Sequence, residues 1–188
     1  ASLMHKGSLE KFSTSLTINT PFSGYRSMSA AVTHDGRSLR KFETTVDLVT
    51  PYGPFGASLN HRGVPTSFTS TLTIATPFRS YAQTSVSLKH AAAEVSDIET
   101  SLTVTMPAGE YEANFNHKGL LAHFSTNAFI RTPIRGYERM SAQISHSAVD
   151  LSSIETSISS ETPVGRFEIS LNHQGRPSRF TSTLTAIT

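Results

Sequence analysis

The sequence has no cysteine, no long run of apolar residues and no Asn-x-Ser/Thr glycosylation site. Without cysteine the chain has neither disulfides nor thiol chemistry, and the redox compartment stays open. Without a long apolar run it has no transmembrane helix. The N-terminal residues also lack the charged and apolar regions of a signal peptide.

Apolar residues and net charge are both low. Hydrophobic residues make up 37% of the 188 residues, below the share in an average globular domain, while serine and threonine are abundant. This composition predicts something other than a large compact core. The formal net charge is only +2, and lysine and arginine are scattered, so nucleic-acid binding is not expected.

What the chain does have is a repeat. Seven of its eight histidines are separated by intervals that alternate between 29 residues, as from His5 to His34, and 27 residues, as from His34 to His61. Two successive intervals make a super-repeat of 56 residues, and only His123 lies off this pattern. A proline follows each of the first six at a nearly constant interval, so two residue types keep one register. A fixed period of this kind is typical of a tandem-repeat architecture. The units start near His5, His34, His61, His90, His117, His146 and His173.

The chain opens and closes inside units. Residues 1–5 (ASLMH) match residues 57–61 (ASLNH), and Thr188 corresponds to Thr76, which precedes a repeat proline. We therefore expect residues 1–188 to be a single repeat region from a longer array.

Alternation of apolar and polar residues predicts β-strands in every unit. Before each proline, apolar residues occupy relative positions 0, 4 and 6 of a strand, although the last two copies are weaker, with Ser160 and Ala186 at position 6. The alternate residues are mostly serine or threonine, with Phe129 the plain exception. The strand after each proline alternates likewise. Because side chains on a strand alternate between faces, all strands can place their apolar residues on one side of one sheet. The predicted apolar face comprises Phe12, Leu16, Ile18, Met28, Val32, Phe42, Val46, Leu48, Phe55, Leu59, Phe68, Leu72, Ile74, Val86, Leu88, Ile98, Leu102, Val104, Phe115, Phe124, Ile130, Met140, Ile144, Phe167, Ile169, Leu171, Phe180 and Leu184.

Prolines and glycines predict the hairpin turns. Proline removes a backbone donor and fixes φ, whereas glycine readily takes positive φ. At the opposite end of the strands a His-x-Gly segment recurs, and we expect its histidine to end a strand. His90 and His146 lack the glycine, so it is helpful there but not required. The predicted turn residues are His5, Gly7, Pro21, His34, Gly36, Pro51, His61, Gly63, Pro77, His90, Pro107, His117, Gly119, Pro133, His146, Pro163, His173 and Gly175.

Together these patterns predict an all-β fold, an antiparallel meander of about 13 amphipathic strands in tandem hairpins that form an extended or curled sheet. Its apolar face would cover on the order of 1,800 Å², several times the few hundred Å² that soluble monomers usually expose. No helical pattern is present to cover it. The apolar face could be covered in three ways: by the sheet itself folded as a sandwich or barrel, by another copy of the sheet, or by lipid.

The sequence of the repeats resembles that of a known family. The recurring TPF-x-GY and THDG or NHRG elements, set in Ser/Thr-rich amphipathic strands, are similar to the repetitive β-rich regions of the large lipid transfer protein superfamily, of the apolipophorin and apolipoprotein B type. The resemblance covers nearly the whole chain. It implies a secreted lipid carrier whose strands lie with their apolar face on a phospholipid monolayer or a neutral-lipid core.

Seven histidines in one register raise the question of a metal site. Equivalent positions in a meander lie two strands apart, about 9.6 Å, whereas zinc ligands each lie ~2 Å from the ion, so a single row cannot chelate. We expect instead that each histidine makes a local hydrogen bond. Protonation near the ordinary pKa of histidine would then charge the edge of the sheet in acidic compartments.

No catalytic motif is present. Glu43, Glu99 and Glu155 recur once in each super-repeat, but successive members would lie roughly 19 Å apart in the sheet, too far for a paired-carboxylate mechanism. There is no phosphate-binding loop and no nucleophile elbow. We expect no enzyme activity, no metal and no cofactor.

The leading expectation is an extracellular, secreted, lipid-carrying region whose one-sided apolar sheet covers lipid. The alternative is a structural protein whose sheets self-associate face to face into an extracellular filament or matrix fibre. A compact β-sandwich binding module is third. The expected partners are therefore lipid or other copies of the same sheet.

Overall fold

The computed structural model describes residues 1–24, 26–150, 152–176 and 179–187, with the backbone alone for Arg37, Asp150, Arg176 and Phe180. It has fourteen strands in one open antiparallel sheet whose order follows the chain, which confirms the predicted all-β meander. The strands are β1 Ser2–Gly7, β2 Lys11–Asn19, β3 Ser27–Ser38, β4 Lys41–Thr50, β5 Gly53–Val64, β6 Ser67–Ala75, β7 Gln83–Glu94, β8 Asp97–Met106, β9 Gly109–Leu120, β10 His123–Arg131, β11 Arg139–Asp150, β12 Ser153–Thr162, β13 Gly165–Arg176 and β14 Arg179–Ile187.

Contacts along the chain divide it into two units. The first comprises residues 1–89 with 103–109, and the second comprises residues 90–102 with 110–188. Both units consist of the same hairpins. Among the described residues no side chain, apolar or polar, is buried. Each unit is thus a single layer without a core.

Two kinds of turn follow the prolines. Pro51–Tyr52, like Pro107–Ala108 and Pro163–Val164, forms a two-residue turn between strands. Gly53, the next residue, has a φ of +120°, and the Thr50 hydroxyl donates to its carbonyl at 3.0 Å. The longer turns are closed by a backbone bond, as from Thr76 N to Ala82 O at 3.0 Å, and one of them contains a short 3-10 helix, Arg79–Tyr81.

At the opposite end the histidines lie within strands, so the prediction that they end strands is wrong. His61 lies inside β5, which continues to Val64. Beyond the histidine the strand stays paired with β6, as Gly63 with Phe68, and Gly63 N also donates to the carbonyl of Arg40 in the preceding turn at 2.7 Å. The turns themselves are the next residues along, such as Pro65–Thr66.

The structure explains why some of these copies need glycine and others do not. Gly63 has a φ of +129°, and a Cβ there would overlap the carbonyl oxygen of Ser67 and the backbone of Phe68. Gly36 has no positive φ, and the equivalent residues in the next two super-repeats are Ala92 and Ala148. The copies with positive φ are Gly7, Gly63, Gly119 and Gly175, each of which lies directly opposite the phenylalanine of the next strand, as Gly63 does to Phe68.

Gly63→Ala should lower the free energy of unfolding by more than about 1 kcal/mol, because alanine resists positive φ and its methyl group has no room. Gly56→Ala in the same strand is the matched control, since a Cβ there would make ordinary contacts with Asp47 and Ala75. Urea denaturation followed by circular dichroism measures both. Equal midpoints for the two variants would contradict the assignment.

Candidate functional site: an apolar face with a histidine ladder

The apolar residues share one face in the first unit. Directly opposed pairs include Leu16 with Ala30, Val32 with Val46, and Leu48 with Phe55. Leu59 faces Leu72 in the same way. The predicted alternation therefore places the apolar residues of β2–β6 on a single surface.

The second unit repeats this arrangement. Ile130 faces Met140, and Ile144 faces Ile158, which in turn faces Ile169. Of the predicted residues in β7 and β8, Val86, Leu88 and Val104 belong to the first unit, and Ile98 and Leu102 belong to the second. The side chain of Phe180 lies outside the described part of the chain, although its backbone is paired with Gly175.

These apolar side chains remain partly exposed. Leu59 is 37% exposed, Leu171 is 40% exposed and Ile130 is 44% exposed. A side chain facing a second protein layer would be almost completely buried. No second layer from the described residues covers this face.

The repeat histidines also lie on the apolar face. Phe12 faces His34, and Phe42 faces His61, across neighbouring strands. The expectation that histidine charge would lie at the edge of the sheet is therefore corrected. The histidines form a line on the same surface as the aliphatic residues, inside the strand ends.

Each repeat histidine contacts a hydroxyl oxygen on the following strand through its Nδ1. The distances are 2.8 Å for His34 to Thr44, 2.7 Å for His61 to Ser70 and 2.8 Å for His146 to Thr156. The same contact is made by His5, His90, His117 and His173 to Thr14, Thr100, Thr126 and Ser182. The local hydrogen bond expected for these histidines is present in all seven sequence repeats.

Phenylalanine rings fill the spaces between the histidines. In the first unit the rings run His5, Phe12, His34, Phe42, His61, Phe68, with centroid separations between 5.1 and 6.2 Å. The second unit has the same arrangement at His117, Phe124 and His146. We call this the histidine ladder. In the histidine ladder, each Nδ1 atom already contacts a hydroxyl, and the rings themselves make apolar contacts with their neighbours.

The hydroxyl partners explain why one position on the apolar face of these strands is always polar. The strand before each proline is apolar at relative positions 0 and 4 and, apart from Ser160, at position 6. Position 2 on the same face is threonine or serine in these six strands and in the equivalent seventh, as in Thr14 and Ser70. That residue is the partner of the histidine. The recurrence of threonine or serine at position 2 could have indicated a common role for this hydroxyl. Only the strand register identifies the histidine as its partner.

The opposite face carries hydroxyls and ion pairs. Lys11 Nζ lies 2.6 Å from Asp35 Oδ2, and the hydroxyls of Thr33 and Thr45 are hydrogen-bonded. The side chains of Lys11 and Asp35 are both largely solvent-exposed, so this ion pair contributes little to the stability of the fold. We call this surface the polar face.

The described residues contain no cluster suited to a metal ion. No three His, Asp or Glu side chains among them lie close enough to hold one ion. Each ladder histidine has its Nδ1 occupied by a hydroxyl, and the next ring in the ladder is a phenylalanine where rings are described, as between His34 and His61. Chemically, this surface can make apolar contacts.

Comparison of the chain with models of protein families, with curated proteins and with solved structures gave no match. Within the described residues, no helix has the length and apolar character needed to cross a membrane.

Ser70→Ala should lower the free energy of unfolding by about 1 kcal/mol, because it removes the hydroxyl partner of His61 on a half-buried surface. Ser58→Ala, on the polar face of β5, is the control and should change stability less. Urea denaturation at neutral pH compares them. Equal losses would show that the histidine contact contributes nothing of its own.

Proposed function

We propose that the apolar face covers lipid, and that the chain is a lipid-carrying region of a secreted protein, acting by binding and not by catalysis. The observation that carries the proposal is the apolar face itself. Some of its aliphatic side chains are about 40% exposed in each unit, as for Leu59 in the first and Leu171 in the second, and many of the others are half-buried. No described residue covers them.

Apolar burial supplies the driving force. Each square ångström of apolar surface removed from water contributes about 25 cal/mol, so a face shared by many strands gains far more than one pocket would. The opposite surface is suited to water, since it carries exposed charges such as Lys11 and Asp35. A sheet with one apolar and one polar face fits the boundary between lipid and water.

The histidine ladder is compatible with this boundary. A polar group that enters an apolar environment without a hydrogen bond is costly. The Nδ1 atoms of His61 and His117 already contact hydroxyls of the neighbouring strand. When lipid covers the histidine ladder, these Nδ1 atoms therefore keep their hydroxyl partners.

The turn tips favour lipid over a second sheet. Leu9 is 94% exposed, Leu39 is 89% exposed and Leu121 is 92% exposed, and each lies in a turn beyond the end of its strands. A sheet stacked on the apolar face would cover the strands and leave these leucines in water. A fluid lipid surface can also cover the turns.

Self-association is the second candidate, and the open sheet favours it. The strand order has two ends, at β1 and β14, and unpaired strand edges readily accept further strands. Sheets paired through their apolar faces would form a filament or matrix fibre by burying the same residues. A β-sandwich within the chain would need a second layer, which the described strands do not provide.

Flotation with a defined lipid particle tests the proposal. The chain is mixed with a triolein emulsion coated with phosphatidylcholine and centrifuged through a density gradient. We expect it to float with the lipid. A double variant, Leu59→Asp with Leu72→Asp, should reduce the bound fraction by about tenfold or more, because two charges would have to leave water.

The matched control places the same two charges on the other face. Ser58 and Thr73 are directly opposed on the same strands, as Leu59 and Leu72 are. Ser58→Asp with Thr73→Asp should float like the unmodified chain. Sedimentation of the unmodified chain as large lipid-free particles would overturn the lipid proposal in favour of sheet pairing.

A further inference from the structure

One region of the polar face departs from the repeat. Phe129 stands where the other copies of the super-repeat have threonine, namely Thr17, Thr73 and Thr185. Asn127 and Gln143 likewise carry amides where the other copies have serine, threonine or alanine. Arg131, Arg139 and Glu161 are charged where no other copy carries a charge. A repeated sheet needs none of these changes for its own pairing.

The strand register brings these departures together in the second unit. Asn127 faces Gln143 across β10 and β11. In the next row Phe129 faces Ser141, Ser141 faces Glu161, and Glu161 faces Arg166. Residues that are distant in sequence therefore form one continuous patch over β10–β13.

Phe129 lies between two chemically different surroundings. Towards the proline turn, the guanidinium carbons of Arg131 and Arg139 lie 5.7 and 5.9 Å from the centre of its ring. On the other side of the ring, the row of Asn127 and Gln143 borders a depression of about 350 Å³, which Phe129 also lines. The ring is half-buried, and Asn127 and Gln143 are exposed.

The charges of the patch are unevenly partnered. Arg131 and Arg139 face each other directly, which is unfavourable for like charges. Glu112 lies 3.5 Å from Arg131 and accepts a hydrogen bond from Asn114. Within the described part of the chain no carboxylate lies within ion-pair distance of Arg139.

Two further carboxylates border the same region without pairing with Arg139. The backbone N–H groups of Gly136 and Glu138 donate to the Glu138 carboxylate and lower its pKa, so this group is held by its own turn. Glu161 lines the depressions beside Phe129. Arg166 forms its ion pair with Glu168 at 2.9 Å.

We propose that this patch binds a saccharide that carries a carboxylate, with the sugar ring stacked on Phe129 and the sugar carboxylate paired with Arg139. The planar amide, carboxylate and guanidinium groups of Gln143, Glu161 and Arg166 each offer two adjacent donors or acceptors, the geometry that neighbouring sugar hydroxyls match. The aromatic ring offers an apolar surface to the C–H groups of a sugar. The site lies on the face opposite the apolar face and is independent of lipid binding.

Isothermal titration of the complete chain tests the site with two defined probes. One is the hyaluronan hexasaccharide, which carries glucuronate, and the other is neutral chitohexaose. We expect the hexasaccharide to bind saturably and the neutral probe to bind several-fold more weakly. Arg139→Gln should weaken the hexasaccharide about tenfold through loss of a charged hydrogen bond, and Phe129→Thr should weaken both probes.

Both variants introduce residues that the fold already accepts, since Gln83 and Thr73 occupy the equivalent positions one super-repeat earlier. Circular dichroism verifies that each variant is folded. Lys41→Gln is the control, removing an exposed cation of the first unit, and should leave binding unchanged. Absence of hexasaccharide binding, equal binding of both probes, or equal losses in the Lys41 and Arg139 variants would overturn the proposal.

Discussion

Cross-strand register is the constraint on which the rest of this structure depends. No described side chain is buried, so neither unit is stabilised by a core. Stability must come from the backbone ladder and from side-chain pairs across neighbouring strands. A shift of one residue would exchange the two faces completely. Fixing the register is therefore what keeps Leu59 opposite Leu72 and Ser58 opposite Thr73.

The histidine ladder fixes this register with side chains. Its hydroxyl contacts form only when a histidine lies opposite the threonine or serine of the next strand, as His61 lies opposite Ser70. A strand slipped by two residues would lose that hydrogen bond and place the imidazole of His61 opposite Phe68 or Leu72. The same residues thus specify the pairing and give the Nδ1 atom of each histidine a hydrogen-bond partner on the apolar face.

The two faces are free to differ because they share no interior. The apolar face varies little, since each copy needs aliphatic or aromatic residues at the same positions. The polar face is constrained mainly by solubility, and there the second unit has accumulated Phe129, Arg139 and their neighbours. A one-layer repeat sheet can in this way combine a surface that lengthens with the array and a local site that occurs in one copy.

The sequence by itself determined the all-β meander, the period of the super-repeat and the two faces, because alternation along a strand is a local property that a linear pattern records. It did not determine that histidine lies inside a strand, since that depends on pairing of the residues beyond it, as of Gly63 with Phe68. It also could not show that Phe129, Arg139 and Glu161 are neighbours. Only strand pairing brings together residues that lie far apart in the chain, so the histidine partners and the patch on the polar face were decided by the tertiary structure.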